Sequence, residues 1–174
     1  MPFFVSSSSI ILPPLPKWPE GKPPLPVSYT DICNTVRRHT TVACNFAFPS
    51  DSEFTAIPVE LLAPAVRWTI ASLKAQGVGY RKNAFDCENF QRELAQTFAK
   101  IAAIAKLEVS PATGTIAVQQ RNAWAGTPAG GRHAIAGIQT DLGLWIVEPQ
   151  QPELAALLIE TYPNRAFIDD VSGF

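Results

Sequence analysis

Three side chains could do chemistry together: Cys87 in AFDCENF, His133 in GRHAIAGI and Glu148 in LWIVEPQ. Asp86 is a natural helix N-cap, which puts Cys87 in the first turn of a helix. The unpaired backbone N–H groups and the macrodipole there favour the thiolate, the nucleophilic form of cysteine. Taken alone, a cysteine at such a position is more often a small core residue. His133, one of two histidines, opens an apolar strand just after the glycine-rich GTPAGGR. A period of 2 puts His133, Ile135 and Gly137 on one face, with Ala134, Ala136 and Ile138 on the other. His39 follows Arg37 and Arg38 and reads as a helix-end residue. A turn centred near Leu142 sets Glu148 opposite about Ala136. A small register shift from there brings it beside His133, where a carboxylate could orient the imidazole and stabilise its charge.

The elements that must position these groups can be read from periodicity. Residues 28–39 suit a short helix capped by Thr30 or Asp31, and the β-formers of 40–48 suit a strand. From Pro58 to Gln76 apolar residues recur at helical spacing, Pro64 should kink or restart that helix, and Gly77 should end it. After Cys87, the residues Phe90, Leu94, Phe98, Ile101 and Ala105, flanked by Ala102 and Ile104, form one buried helical face. The period then drops to 2, predicting strands at Gly114–Trp124, Arg132–Asp141 and Gly143–Pro149, the last two as an antiparallel hairpin. Residues 153–160 suit a short helix, and AFIDDVSGF a last strand. Helices first and then a meander make an α+β pattern.

Composition narrows the classes. A hydrophobic share of 47% with 17% charged residues fills one sizeable core. Net charge is −1 with scattered lysines and arginines, so nucleic acid is not an expected partner. No apolar run of about 18 residues is present, so no membrane span is expected. Three cysteines without CxxC spacing argue against a disulfide framework or a thiolate zinc site. The N-terminus lacks a basic n-region, so a cytoplasmic or virion-associated protein is expected rather than a secreted one. Half of the sixteen prolines fall in the first 26 residues, which favours an extended arm over residues 1–27 ahead of a domain over 28–174. Phe3, Phe4, Ile10, Ile11 and Trp18 would anchor that arm on a protein partner or a neighbouring copy.

The order Cys87, His133, Glu148, from a helix-start cysteine to adjacent strands, resembles the papain-like and transglutaminase-like cysteine hydrolases. FDCENF is similar to the aromatic-Asp-Cys pattern of cell-wall peptidases of the NlpC/P60 type. A closer likeness is to the papain-like C-terminal domain of the fairy-ring mushroom agglutinin and related phage and bacterial proteins. There FDCDDF, a His-Ala strand and a terminal EPQ recur at similar intervals, and PSDSEFTAIPVELL resembles the segment before the cysteine helix. The likeness spans about residues 29–174. It implies a papain-like/NlpC-like α+β fold and a peptidase or amidase acting on peptide or peptidoglycan amides through a thioester. Cys87 would be the nucleophile, His133 the general base and then acid, and Glu148 the orienter. Such enzymes usually carry a glutamine before the cysteine as an oxyanion donor; none stands between Gly77 and Asp86, and Tyr80 is the nearest polar substitute. Glu88-Asn89 replaces two aspartates associated with calcium in that group, so no metal or other cofactor is expected. Two other readings stand beside the hydrolase. One is a structural part of a phage tail, baseplate or capsid that uses the arm for assembly. The other is a lectin-like or other ligand-binding module, with Trp124 stacking on a sugar.

Overall fold

The computed structural model of the protein describes residues 12–47, 52–78, 87–148, 150 and 155–174. In chain order these form β1 (Leu25–Ser28), α1 (Tyr29–Arg37), β2 (Asn45–Phe46), β3 (Glu53–Ala56), α2 (Val59–Ala75), α3 (Cys87–Ile104), β4 (Thr113–Gln119), β5 (Arg132–Thr140), β6 (Gly143–Glu148), β7 (Ala155–Leu158) and β8 (Ile168–Ser172). β1 and β3 make a two-stranded sheet, and the other six strands form one sheet in the order β2-β8-β4-β5-β6-β7. The expected succession of helices followed by an antiparallel meander, in a papain-like/NlpC-like α+β fold, is therefore corrected. Short strands interleave with the first helices, and the large sheet is mixed, because β2 joins β8 in parallel.

Local chemistry explains the boundaries. Ser28, rather than Thr30 or Asp31, caps α1: its hydroxyl accepts the Asp31 N–H at 3.1 Å and donates to Asp31 Oδ2 at 2.6 Å. Extended backbone at Ser28 makes it the last non-helical residue, and Asp31 answers it from the third helical position. α2 runs through Pro64 without restarting; in the second turn the proline removes one N–H and the buried face on either side holds the helix together. Gly77 ends α2 as its left-handed φ of +69° allows, with Val78 N–H donating to Leu73 O at 2.9 Å. On α3 the stripe Phe90, Leu94, Phe98 and Ile101 is buried, whereas Ile104 is exposed.

Residues 155–158, expected to be helical, are a strand. Pairing from Trp145–Leu158 to Glu148–Ala155 satisfies an edge of β6 that would otherwise be open, and this outweighs the weak helix preference of Ala and Leu. A 3-10 turn, Ile159–Thr161, follows, and a second, Arg165–Phe167, leads into β8.

The large sheet separates two cores. On one face Ile32 and Val36 of α1 pack with Ile116, Ile135, Ile146 and Tyr162. On the other, Leu62 and Val66 of α2 and Leu94 and Phe98 of α3 meet Ile138 and Val147. Phe174 is seated over two glycines. A Cβ on Gly114 would lie 2.2 Å from its ring, and one on Gly137 would lie 2.7 Å from Ile116. The Phe174 ring meets Phe54 edge-on at 6.5 Å.

Among the described residues of the proline-rich stretch, Leu15 and Trp18 pack on the chain's own α2–α3 core. Trp68 Nε1 donates to Pro13 O at 3.0 Å, and Lys22 bridges Glu60 at 2.9 Å and Asp141 at 2.7 Å. Asp141 also accepts the Val59 N–H at 2.9 Å, capping α2 from across the fold. The other anchors named above, Phe3, Phe4, Ile10 and Ile11, lie outside the described residues. Urea unfolding should show a loss of about 3–5 kcal/mol for Phe174→Ala, the usual cost of emptying a buried aromatic site. Lys22→Ala, which breaks only solvent-screened ion pairs, should leave the urea midpoint almost unchanged in the same assay.

Candidate functional site

The geometry of the site begins with a hairpin register. Thr140 faces Gly143 across the two-residue turn Asp141–Leu142, and the β5–β6 ladder runs up to Ala136 opposite Val147. Carried one residue further, this register sets Glu148 level with Ile135 rather than Ala136. Because alternate residues point to opposite faces, that single step gives Glu148 the face of His133. Gly143 follows the turn at φ +125°, a conformation side chains other than hydrogen rarely permit.

His133 Nε2 lies 2.5 Å from Glu148 Oε2, and the Gln150 N–H donates to Glu148 Oε1 at 3.0 Å. Both partners are withdrawn from solvent, the side chains being 13% and 1% exposed. Cys87 completes the line through a side-chain hydrogen bond to His133. With Nε2 engaged by Glu148, the other ring nitrogen, Nδ1, is the one left to meet the thiol. α3 packs in the core opposite to that of Ile135, and Cys87 and His133 line one cleft. β4 still holds the His133 backbone, through Val118.

Burial is the largest single influence on His133 and disfavours its charge. Hydrogen bonds to Cys87 and Glu148, with their electrostatic attraction, overcome it and push the imidazole up to about 9. The site thus holds a cation at neutral pH.

Beside this line opens a cleft of about 600 Å³ between α3 and the sheet. Cys87, Gln91 and Ala95 follow at i, i+4 and i+8 and so share the helix face that lines it. The sheet residues beneath are small, with Ala117 and Ala134 among them. Arg92, Arg132 and Asp170 add charge to its walls. Arg132 is paired with Asp169 at 3.2 Å. Gln91 is 3% exposed, and neither of its amide atoms has a hydrogen-bond partner among the described residues.

The structure thus brings Cys87, His133 and Glu148 together and leaves Trp124 apart. Trp124 packs edge-on against Tyr162 at 5.0 Å, within the core on the α1 side. Tyr80 and the expected cap Asp86 lie outside the described residues. Gln91 escaped notice in the sequence, although a polar residue four positions after Cys87, between the buried Phe90 and Leu94, was a readable signal. Among the described residues no group of three or more His, Cys, Asp or Glu side chains could hold a metal ion, and no helix is long and apolar enough to cross a membrane.

No family model matches the chain, and no curated protein does. Solved structures do. One is a PSL1a–E64 complex, at 13% identity and a TM-score of 0.59, over 84% of this chain and 51% of that one. Another is Polyporus squamosus lectin bound to the human-type influenza-binding epitope Neu5Acα2-6Galβ1-4GlcNAc, at 13% identity and a TM-score of 0.52, over 77% and 49%. At that identity the fold is what is shared. This chain spans about half the length of the solved chains it matches. These matches correct the expectation of a papain-like, NlpC/P60-related cysteine hydrolase, since one of the chains of like fold is named as a lectin and neither as a peptidase. The expectation of a phage or virion component is corrected with it, neither match being named as one.

The His133 ring protons should titrate near 9 by NMR and return towards the ordinary imidazole value in Glu148→Gln. The sign for stability follows: a raised folded-state value stabilises fully below about 6.5, the unfolded value, and the gain is lost as pH rises through about 9. Urea midpoints taken from pH 6 to 10 should therefore fall for the native chain and fall less for Glu148→Gln. Glu148→Ala, which strands the imidazole without its carboxylate, should cost about 3–5 kcal/mol at pH 7.

Proposed function

We propose that the chain is a ligand-binding domain that takes a glycan in the cleft beneath α3, with Cys87, His133 and Glu148 as the reactive line in its wall. The observation that carries this reading is the make-up of the cleft. Its roughly 600 Å³ is bordered by planar, multiply hydrogen-bonding groups, Arg92, Arg132 and Asp170, over a floor of small residues. Ligand pockets commonly fall in this size range, and planar guanidinium and carboxylate groups can each meet two hydroxyls at once. The lectin of like fold, bound to a sialylated trisaccharide, supports the choice of ligand class. In this reading residues 28–174 are the binding domain and residues 1–27 its arm; the seating of Leu15 and Trp18 on the chain's own core favours a bracing role.

Within the line, Glu148 holds the imidazole, His133 carries the positive charge, and Cys87 is the thiol that this charge polarises. A cation in hydrogen-bond contact with a thiol favours the thiolate and raises reactivity towards electrophiles. Burial pushes the thiols of Cys44, to about 11, and Cys33 upwards, which makes both poor competitors.

Two measurements test these points separately. Titration with Neu5Acα2-6Galβ1-4GlcNAc, and with E64 as a second probe, should show saturable binding that Ala95→Trp abolishes by filling the cleft. No binding of either probe, or binding indifferent to Ala95→Trp, would sink the assignment. Iodoacetamide at pH 7 should modify Cys87 at least tenfold faster than Cys33 or Cys44, and His133→Ala should remove that advantage; equal rates at all three would dismiss the reactive line.

A further inference from the structure

Of the three cysteines, Cys87 alone lines the cleft. It is half-buried in the first turn of α3 and faces the same space as His133. Cys33 is buried on α1, and Cys44 packs against the core on the α1 side. Cys87 is also not an isolated thiol. Its side chain hydrogen-bonds to His133, and Glu148 holds that imidazole from behind at 2.5 Å. A cation beside a thiol raises the share of thiolate, the form that attacks, and access decides whether a reagent reaches it. Cys87 combines the two conditions. Cys33 and Cys44 do not, since burial pushes both thiols upwards, Cys44 to about 11.

What the thiolate meets is set by the cleft. A space of about 600 Å³ takes a molecule of drug size. Its walls carry both signs of charge, Arg92 and Arg132 against Glu88 and Asp170. A small peptide with an ammonium group and carboxylates complements such walls. We propose that Cys87 is a site of reversible S-thiolation, at which a peptide disulfide of the glutathione type enters the cleft and leaves one half behind as a mixed disulfide. The thiolate attacks one sulfur of the disulfide; a bond forms between Cys87 Sγ and that sulfur, and the original S–S bond breaks. The second half departs with the electron pair and takes up the proton that Cys87 has lost. Cys87 is oxidised, the departing sulfur is reduced, and a free thiol reverses the exchange. Neither Cys33 nor Cys44 lines the cleft, so the adduct persists instead of resolving into a disulfide within the chain. The inference rests on the reactive line proposed above and is independent of glycan binding.

The test incubates the full chain with glutathione disulfide at pH 7 and follows intact mass and peptide maps. One glutathionyl group should appear on Cys87 and come off with dithiothreitol, while Cys33 and Cys44 react at least tenfold more slowly. Ala95→Trp, which fills the cleft and leaves the thiol in place, should slow glutathione disulfide more than the smaller iodoacetamide. Fast iodoacetamide labelling of Cys87 without a glutathione adduct would overturn S-thiolation and leave the reactive line standing. Slow reaction of Cys87 with both reagents would remove the line and the inference together. An adduct spread evenly over the three cysteines, or a disulfide from Cys87 to Cys33 or Cys44, would overturn the proposal too. If Ala95→Trp affects the two reagents alike, the cleft does not seat the peptide and the proposal falls.

Discussion

A carboxylate almost wholly withdrawn from water must be paired where it stands, and Glu148 is paired with His133 at 2.5 Å. That requirement governs more than the two residues. If β6 slipped by one position against β5, Glu148 would turn towards Ala136 and Ile138, into the apolar core beneath α2 and α3. The charge would then be buried without a partner. The pair therefore acts as a lock on the register of the central hairpin. Its supports are local: the two-residue turn, Gly143 at φ +125°, and the Thr140 hydroxyl, which accepts the Leu142 N–H at 3.0 Å and donates to Gly143 O at 3.1 Å.

The same hairpin decides where chemistry can occur. Up to Ala136 and Val147 the strands are paired, and their side chains are committed to one core or the other. Past that point β4 keeps hold of β5 while β6 carries on with β7 as its partner. At that level the two strands are joined through side chains, His133 to Glu148.

Much of this was legible in the sequence because it rests on short-range rules. The change of period after α3, the end of α2 at Gly77 and the buried stripe of Phe90, Leu94 and Phe98 follow from spacing and residue type alone. So does the grouping of Cys87, His133 and Glu148 by order and element. What escaped depends on contacts distant in sequence. β7 looks helical to any local rule and is a strand because β6 has an edge to cover. β2, two residues long, exists only through β8, more than a hundred positions away. The fold-family likeness failed for a related reason. Short motifs such as FDCENF and EPQ describe a helix start and a strand end, and they carry no information on how the sheet is ordered or what the cleft admits.

The cleft shows the other side of these economies. A core built for stability alone would not place Ala117 and Ala134 beneath a helix beside an open cleft. Both small residues give up packing, and both line the cleft that His133 also borders. On the other face the packing is close, as where Phe174 lies directly on Gly114 and Gly137 with Phe54 against its edge. Gly114 belongs to both regions, since it lines the cleft as well as the seat of Phe174. The well-packed face thus fixes the position of β4 and β5, and the open face inherits that precision for its cleft.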